Sequence, residues 1–303
     1  MAENKTRRVF AIGETLMDIV FRNNIPTNAT PGGSMLNTIV SCARSGLDSY
    51  YISEYSDDAV GLIIDDFLVQ NLVKGDFIYH YKNAKTSLAL AFLDNDNNAT
   101  YQFYSEKPSL HLNIDIPDFC SSDILIFGSY YALADETFNI VAKIVKSAKD
   151  AGSTIIYDPN IRVSKLTNNN WKEHLAMNLQ LADIVKASDE DIFHAFGEVT
   201  DLEIKEIISD FNISFFCLTK SNKPVQAYTS KSFAEFHVPI IQVVNTIGAG
   251  DAFNAGLVVA LIENNIDENH FKNRKITTNT INRIITKGIE FAQKVCLKTE
   301  NYI

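Results

Sequence analysis

The chain has 303 residues, of which 46% are apolar and 21% charged, and its net charge is −10. These proportions are ordinary for a globular protein with one large α/β domain or two average ones. The acidic balance excludes a general nucleic-acid-binding surface. The lack of basic clusters and of any run of ~18 apolar residues excludes a membrane protein.

Cysteine and histidine placement gives no sign of a metal or redox site. The 4 cysteines are far apart in the chain, and the 6 histidines lack metal-ligand spacing. The first residues lack the apolar core of a secretory signal, so we expect a cytoplasmic protein.

The first part of the chain alternates short apolar runs with amphipathic stretches. In chain order the hydrophobic pattern predicts strands at 8–13 and 14–21, a helix from the glycines at 32 and 33 to about 46, a strand at 49–54 and a helix at 60–72. Two further strand patterns, 87–93 and 100–104, flank the Asn/Asp-rich stretch 94–98, which predicts a β-hairpin.

From residue 123 onward strands and helices alternate regularly. Strands are predicted at 124–127, 154–157, 184–186 and 214–218, with helices such as 135–151 and 201–211 between them, and the Asn-rich stretch near 280 reads as a surface loop. This alternation predicts a parallel sheet covered on both faces. Ligands of such sheets bind beyond the carboxyl ends of the strands. Polar residues fall at those ends: Ser129, Asp158, Lys186, Thr219 and the turn 245–251.

The turn before the last long apolar helix has the features of an anion site. Gly248, Ala249 and Gly250 leave backbone N–H groups uncovered, and the positive end of the following helix points at the same place. Asp251 would repel an anion there, yet it suits the role of a base beside a phosphoryl group in transfer. The alternative interpretation is a plain loop with an aspartate helix cap. The spacing fits neither a Walker loop nor a dinucleotide-binding fingerprint.

Three other features each allow two interpretations. Gly32 and Gly33, with Asn37 four residues on, indicate either a glycine turn before a helix or a backbone close to a ligand hydroxyl. Asp18 is either an edge residue or an acceptor for sugar hydroxyls. Arg162 either pairs with Asp158 or grips a phosphate with both arms of its guanidinium.

Together these motifs resemble the ribokinase-like, or PfkB, carbohydrate kinases over residues 9–298. Gly32-Gly33-Ser34-Met35-Leu36-Asn37 resembles the N-terminal signature of that family, and Asn245-Thr246-Ile247-Gly248-Ala249-Gly250-Asp251 resembles its C-terminal signature D-T-x-G-A-G-D. Residues 13–18, 158–162 and 182–186 look most like fructokinases, and ketodeoxygluconate kinases share much of the pattern. The resemblance implies a single three-layer α/β/α domain over residues 1–303, with a mainly parallel central sheet. It also implies a small β-sheet lid from about 14–32 and 77–106.

The resemblance implies a role for each of these positions. Asp251 would take the proton from the attacking sugar hydroxyl, and the N–H groups of Gly248, Ala249 and Gly250 would hold charge on the γ-phosphoryl oxygens. Five residues are implied in binding sugar or phosphate: Asp18, Gly32, Gly33, Asn37 and Arg162. Nucleotide contacts are implied for Lys186, Ser188 and Thr219, together with Gly248 and Gly250.

The chain departs from the family pattern at several places. Asn245 replaces the first aspartate of the signature, which helps hold K⁺ in many members. Asp191 falls where the family has the glutamate of its N-x-x-E motif, which is associated with hydrated Mg²⁺. The chemistry also implies Mg²⁺, because this ion bridges the phosphates of ATP during transfer. Ser221 and Pro224 take the places of both glycines in the family's T-x-G-x-x-G loop.

We therefore expect an ATP-dependent kinase that phosphorylates fructose or a related sugar, with Asp251 as general base. Two alternatives stay open: another acceptor, such as ketodeoxygluconate, ribose or a nucleoside, or a degenerate member that binds sugar and transfers little phosphate. The expected partners are the sugar and ATP, with no nucleic acid and no membrane. The resemblance also implies a homodimer through the lid.

Overall fold

The computed structural model describes residues 7–93, 99–106, 114–166, 169–230, 232–272 and 276–303. The strands are β1 (Arg8–Ile12), β2 (Leu16–Arg22), β3 (Ile25–Gly32), β4 (Asp48–Ser56), β5 (Lys74–Tyr81), β6 (Lys85–Leu93), β7 (Ala99–Glu106), β8 (Ile124–Gly128), β9 (Thr154–Asp158), β10 (Ile184–Ser188), β11 (Phe215–Thr219), β12 (Val225–Tyr228) and β13 (Phe233–Phe236). The helices are α1 (Ser34–Arg44), α2 (Ala59–Gln70), α3 (Asp135–Asp150), α4 (Trp171–Leu181), α5 (Asp189–Phe196), α6 (Asp201–Asp210), α7 (Ala249–Glu263), α8 (Glu268–Lys272) and α9 (Thr278–Cys296).

The large sheet has the strand order β13-β12-β11-β10-β9-β8-β1-β4-β5. Every pair from β11 to β5 is parallel, and only β12 and β13 are antiparallel to their neighbours. The central strands are buried along their whole length and mostly apolar, as expected of strands covered on both faces. One apolar core lies between this sheet and α1, α2, α7 and α9, and a second lies between it and α3 to α6. The predicted three-layer α/β/α architecture with a mainly parallel sheet is confirmed.

The smaller sheet has the order β3-β2-β6-β7 and forms the lid. The antiparallel pairing of β6 with β7 confirms the predicted hairpin, whose turn 94–98 lies outside the described residues. The predicted lid boundary near residue 77 is wrong, because β5 pairs in parallel with β4 at the edge of the large sheet. Ile78 of β5 packs against the first core, which ties this strand to the body of the protein.

The surface loop predicted near residue 280 is also wrong, because α9 runs through it. The Thr277 hydroxyl caps this helix by accepting a hydrogen bond from the Thr280 amide. Ile281, Ile284 and Ile285 are buried at helical spacing, so their burial outweighs the low helix propensity of the asparagines between them. No helix in the described part of the chain is both long and apolar enough to cross a membrane.

Candidate active site

The carboxylate of Asp251 links the beginnings of two helices. Asp251 lies in the first turn of α7, where its Oδ1 accepts a hydrogen bond from the Ser34 hydroxyl at 2.6 Å and its Oδ2 accepts one from the Asn37 amide at 2.9 Å. The Thr38 hydroxyl donates to the Asp251 backbone carbonyl at 3.2 Å. Burial raises the pKa of Asp251 to about 6, although the two side-chain hydrogen bonds partly oppose the shift. A carboxyl with this pKa is suited to accept a proton near neutral pH.

The alternative of a helix-capping aspartate is wrong for Asp251. The N-cap of α7 is Gly248, which has a left-handed backbone with φ of 80°, and the Asp251 carboxylate bonds to α1 instead. A side chain at position 248 would clash with the backbone carbonyl of Asn301, so the turn needs glycine for its φ and for its space.

The amides of the turn differ in their availability. The Ala249 N–H donates to the Thr246 carbonyl at 3.2 Å, whereas the N–H groups of Gly248 and Gly250 have no backbone acceptor in the described part of the chain. A Cβ built on Gly250 would lie 3.0 Å from the Lys186 Nζ, so an ammonium group lies against the turn. Two amides, the start of a helix and a lysine therefore meet where an anion would be held.

A buried polar cluster holds that lysine in place. The Lys186 Nζ lies 3.0 Å from the Asp158 Oδ2, which also accepts a hydrogen bond from the Asn254 amide at 2.6 Å. Burial alone would lower the pKa of Lys186, but the carboxylates of Asp158 and Asp191 outweigh it and raise that pKa. Lys186 therefore stays charged. The suggested pairing of Asp158 with Arg162 is wrong, because Asp158 faces the sheet interior and Arg162 is exposed.

The two glycines before α1 bring the backbone close to other groups. A side chain at Gly33, whose φ is 133°, would clash with the Glu14 carbonyl, and one at Gly32 would clash with the Asp18 carboxylate. Asn37, which donates to Asp251, has a buried Oδ1 that finds no hydrogen-bond partner among the residues that the structure describes. The structure thus brings Asp18, Gly32, Gly33 and Asn37 to the same end of the sheet as Asp251.

The pfkB family carbohydrate kinase profile matches residues 6–298. The chain belongs to this family. Among curated relatives, a fructokinase of Klebsiella pneumoniae is 27% identical over 86% of this chain and 87% of its own length. A probable chloroplastic fructokinase-6 of Arabidopsis thaliana is 28% identical over 84% of this chain and 70% of its own length.

Solved structures of sugar kinases share the fold. A double mutant of the Vibrio cholerae O395 fructokinase, bound to fructose, ADP and potassium, superposes with a TM-score of 0.86 at 20% identity, covering 98% of this chain and 94% of its own. The Salmonella enterica aminoimidazole riboside kinase, complexed with aminoimidazole riboside and an ATP analog, gives a TM-score of 0.81 at 20% identity, covering 97% and 94%.

The predicted nucleotide residues of this pfkB family member lie on two neighbouring strands. Lys186 and Ser188 are on β10, and the Thr219 hydroxyl at the end of β11 donates to the Ala187 carbonyl at 3.3 Å. The following loop keeps a tight turn without its glycines, because Ser221 adopts a left-handed φ of 51° and the Lys223 amide donates to the Lys220 carbonyl.

Asp191 does not fit a role in holding a metal through water. Its Oδ1 accepts the Ile161 amide at 2.6 Å, and its Oδ2 accepts both the amide and the hydroxyl of Ser188. This buried carboxylate caps α5 and fastens the loop after β9. The described residues contain no group of three or more side chains of the metal-ligating types placed to hold an ion.

Asn245 is likewise poorly suited to bind a cation. Its Oδ1 accepts the Ile247 amide at 3.0 Å, and its Nδ2 lies 3.4 Å from the Asn301 Oδ1. A neutral amide whose oxygen is already engaged provides neither the charge nor the free oxygen of a carboxylate ligand.

Sequence reasoning missed two residues of the site, Ser34 as a partner of Asp251 and Asn254 as a partner of Asp158. Helical spacing gives a signal for both, since each lies three residues from a residue that was identified. Ser34 and Asn37 share one face of α1, and Asp251 and Asn254 share one face of α7.

Replacing Lys186 with Met should destabilise the protein strongly. The substitution leaves the Asp158 carboxylate buried with Asn254 as its one side-chain donor among the described residues, and breaking a buried pair in this way costs ~3–5 kcal/mol. Urea unfolding measures the change in the free energy of unfolding. Lys146→Met is the control, since its partner Asp150 is exposed and such pairs contribute ~1 kcal/mol or less. Equal losses in the two variants would contradict the prediction.

Proposed function

We propose that this pfkB family kinase transfers the γ-phosphoryl group of ATP to a hydroxyl of fructose or a related sugar, with Asp251 as the general base. The observation that carries the proposal is the setting of the Asp251 carboxylate. It is fixed by Ser34 and Asn37, its pKa is about 6, and it adjoins the Gly248–Gly250 turn. A base and an anion site side by side are what phosphoryl transfer to an alcohol needs.

The remaining residues support the two ends of the transfer. On the sugar side, Asp18, Gly32, Gly33, Asn37 and Arg162 bind hydroxyls or phosphate and orient the acceptor oxygen towards Asp251. On the phosphate side, the amides of Gly248 and Gly250 stabilise charge on the transferred group, with the ammonium of Lys186 beside them. Lys186, Ser188 and Thr219 line the nucleotide side of the site. Asp251 removes the proton as the acceptor oxygen attacks in line.

In this proposal the only ion at the site is the Mg²⁺ bound to the nucleotide. Mg²⁺ arrives bound to the ATP phosphates as part of the substrate, where it neutralises their charge. Asp191 serves the structure and not the ion, because its oxygens are engaged by Ile161 and Ser188. The neutral Asn245 supports turnover without a requirement for K⁺.

The acceptor is a neutral sugar rather than an acidic one such as ketodeoxygluconate. Asp18 and Asp251 add negative charge to the sugar side, whereas Lys186 is neutralised by Asp158. The positive charge of Arg162 then offsets the negative charge of Asp18 and Asp251. A carboxylate on the substrate would therefore be repelled by these two side chains. The open edges of the lid at β3 and β7 support a homodimer formed through the lid.

A second candidate function is sugar binding with little phosphoryl transfer. The loss of both glycines at Ser221 and Pro224 favours it, because side chains replace bare backbone in the loop that the resemblance places near the nucleotide. Calorimetric titration of the protein with ATP–Mg²⁺ separates the two functions. We expect saturable binding; absence of binding, with fructose still bound, would favour the second candidate.

Replacing Asp251 with Asn should reduce kcat by ~10² to 10⁴, because an amide cannot take the proton from the acceptor hydroxyl. Sugar affinity should change little, since Asn keeps the size of the side chain: its Oδ1 can accept from the Asn37 amide, and its Nδ2 can donate to the Ser34 hydroxyl. Steady-state phosphorylation of fructose, with sugar binding measured separately, gives both quantities. Asp150→Asn on the exposed face of α3 is the control. A kcat near that of the wild type in the Asp251 variant would refute the general-base role.

The pH dependence of kcat should follow the ionisation of Asp251. Activity requires the carboxylate, so kcat should fall as pH drops through about 6 and should level off above it. The Ser34 hydrogen bond lowers this pKa. Ser34→Ala should therefore raise it and shift the acid limb of the profile to higher pH, which pH–rate measurements on both proteins can detect. A shift to lower pH would contradict this assignment.

A further inference from the structure

The segment 297–302, which follows α9, lies against the glycine turn of the anion site. Main-chain atoms of Asn301 fill the space where a side chain of Gly248 would stand. The carbonyl of Cys296, the last residue of α9, accepts a hydrogen bond from the Val244 amide at 2.8 Å. The chain that leaves α9 therefore contacts both ends of the turn that precedes α7.

This turn has few other contacts that could fix its geometry. Residues 237–248 form no helix or strand, and the side chains of Val244 and Ile247 are 59% and 42% exposed. Inside the turn, the Asn245 Oδ1 accepts a hydrogen bond from the Ile247 amide at 3.0 Å. A loop with few buried apolar contacts opens easily unless neighbouring chain holds it. The contact with Asn301 is therefore important for the shape of the turn.

Tyr302 anchors the segment 297–302 in the body of the protein. Its side chain is 7% exposed and packs in the first core, where its ring meets that of Phe67 edge-on with centroids 5.5 Å apart. The guanidinium of Arg44 lies 4.6 Å from the centroid of the Tyr302 ring, a distance at which a cation attracts an aromatic face. Arg44 is itself fixed, because its Nε donates to the Oδ1 of the buried Asn71 at 2.6 Å.

The anchor and the proposed base are both attached to α1. Arg44 is the last residue of this helix, and Asn37 in its first turn donates to the Asp251 carboxylate. α1 thus holds the base at its beginning. At its end, through Tyr302, it holds the main chain that packs on Gly248. One rigid helix therefore sets the position of the carboxylate and of the turn beside it.

We propose that Tyr302 is a positioning residue for phosphoryl transfer. Its anchorage holds the Asn301 main chain against Gly248, and this contact keeps the amides of the turn directed at the transferred group. The inference rests on the proposed function. Amides that stabilise the charge developing in the transition state must be in place before the reaction begins. A misplacement of about 1 Å at such a site can cost roughly 100-fold in rate, so an anchor that acts through the turn can set kcat.

Kinetics of Tyr302→Leu test the proposal. We expect kcat to fall about 10- to 100-fold, because the segment loses its anchor and the amides of the turn lose their alignment. The dissociation constant of fructose should stay at the wild-type value, since Asp251 and its bonds to α1 are untouched. Tyr302→Phe should retain the wild-type kcat, because it keeps the ring beside Arg44.

Phe119→Leu is the matched control for a loss of stability. Phe119 is 8% exposed, against 7% for Tyr302, and it also meets another ring edge-on, that of Phe10. It lies before β8, at the end of the sheet opposite the active site. The control should lose a comparable free energy of unfolding and keep the wild-type kcat. An equal loss of kcat in both variants, or an unchanged kcat in Tyr302→Leu, would overturn the positioning role.

Amide hydrogen exchange separates the failure of this inference from the failure of the proposed function. Tyr302→Leu should speed exchange across residues 244–250, and Phe119→Leu should not. Exchange at the wild-type rate in Tyr302→Leu would overturn the inference whether or not the protein is active. If the wild type phosphorylates no sugar, the proposed function fails, and faster exchange confined to Tyr302→Leu would still support the hold of this residue on the turn.

Discussion

The pair of hydrogen bonds that Asp251 accepts from Ser34 and Asn37 is the contact on which the site depends. These residues are 217 and 214 positions apart from Asp251 along the chain, yet the bonds bring the first turns of α1 and α7 together. Each helix beginning has unsatisfied amides and a positive end. Their meeting over the sheet places a carboxylate with a raised pKa between the glycine turn before α1 and the glycine turn before α7. In the proposed mechanism, a base in this position reaches both substrates without any movement of its own backbone.

The buried ion pair of Lys186 and Asp158 has a different role. Asp158 ends β9 and Lys186 lies in the middle of the neighbouring β10, and Asn254 of α7 bonds to the same carboxylate oxygen as Lys186. A buried pair of this kind contributes little net stability, but it fixes geometry, because either partner alone would be an uncompensated buried charge. Here the fixed element is α7, whose first turn carries Asp251. The buried ion pair between β9 and β10 therefore helps to fix the position of Asp251.

The fold and the composition of the site were largely predictable from the sequence, whereas the contacts between helices were not. Buried strands such as β8 and β9 are continuous apolar runs, and the residues that follow them were predicted to gather at one edge. The hydrogen bonds of Asp251 to α1 depend on how two distant helices cross, which no local pattern records. The lid boundary near residue 77 was taken from the resemblance, whereas the pairing of β5 with β4 is a long-range contact that no local pattern records. Asp191 resembled a metal-associated acid by position, but its carboxylate is engaged by local capping, which outcompetes a distant ligand.

The Asn301 carbonyl lies so close to Gly248 that it limits which residues can occupy this turn. The atom that excludes a side chain at position 248 belongs to the main chain and not to the side chain of residue 301. No substitution at 301 can remove a backbone oxygen, so a change at 248 has no compensating partner there. Among related kinases we therefore expect glycine to be retained at the position of Gly248 whatever side chain stands at the position of Asn301.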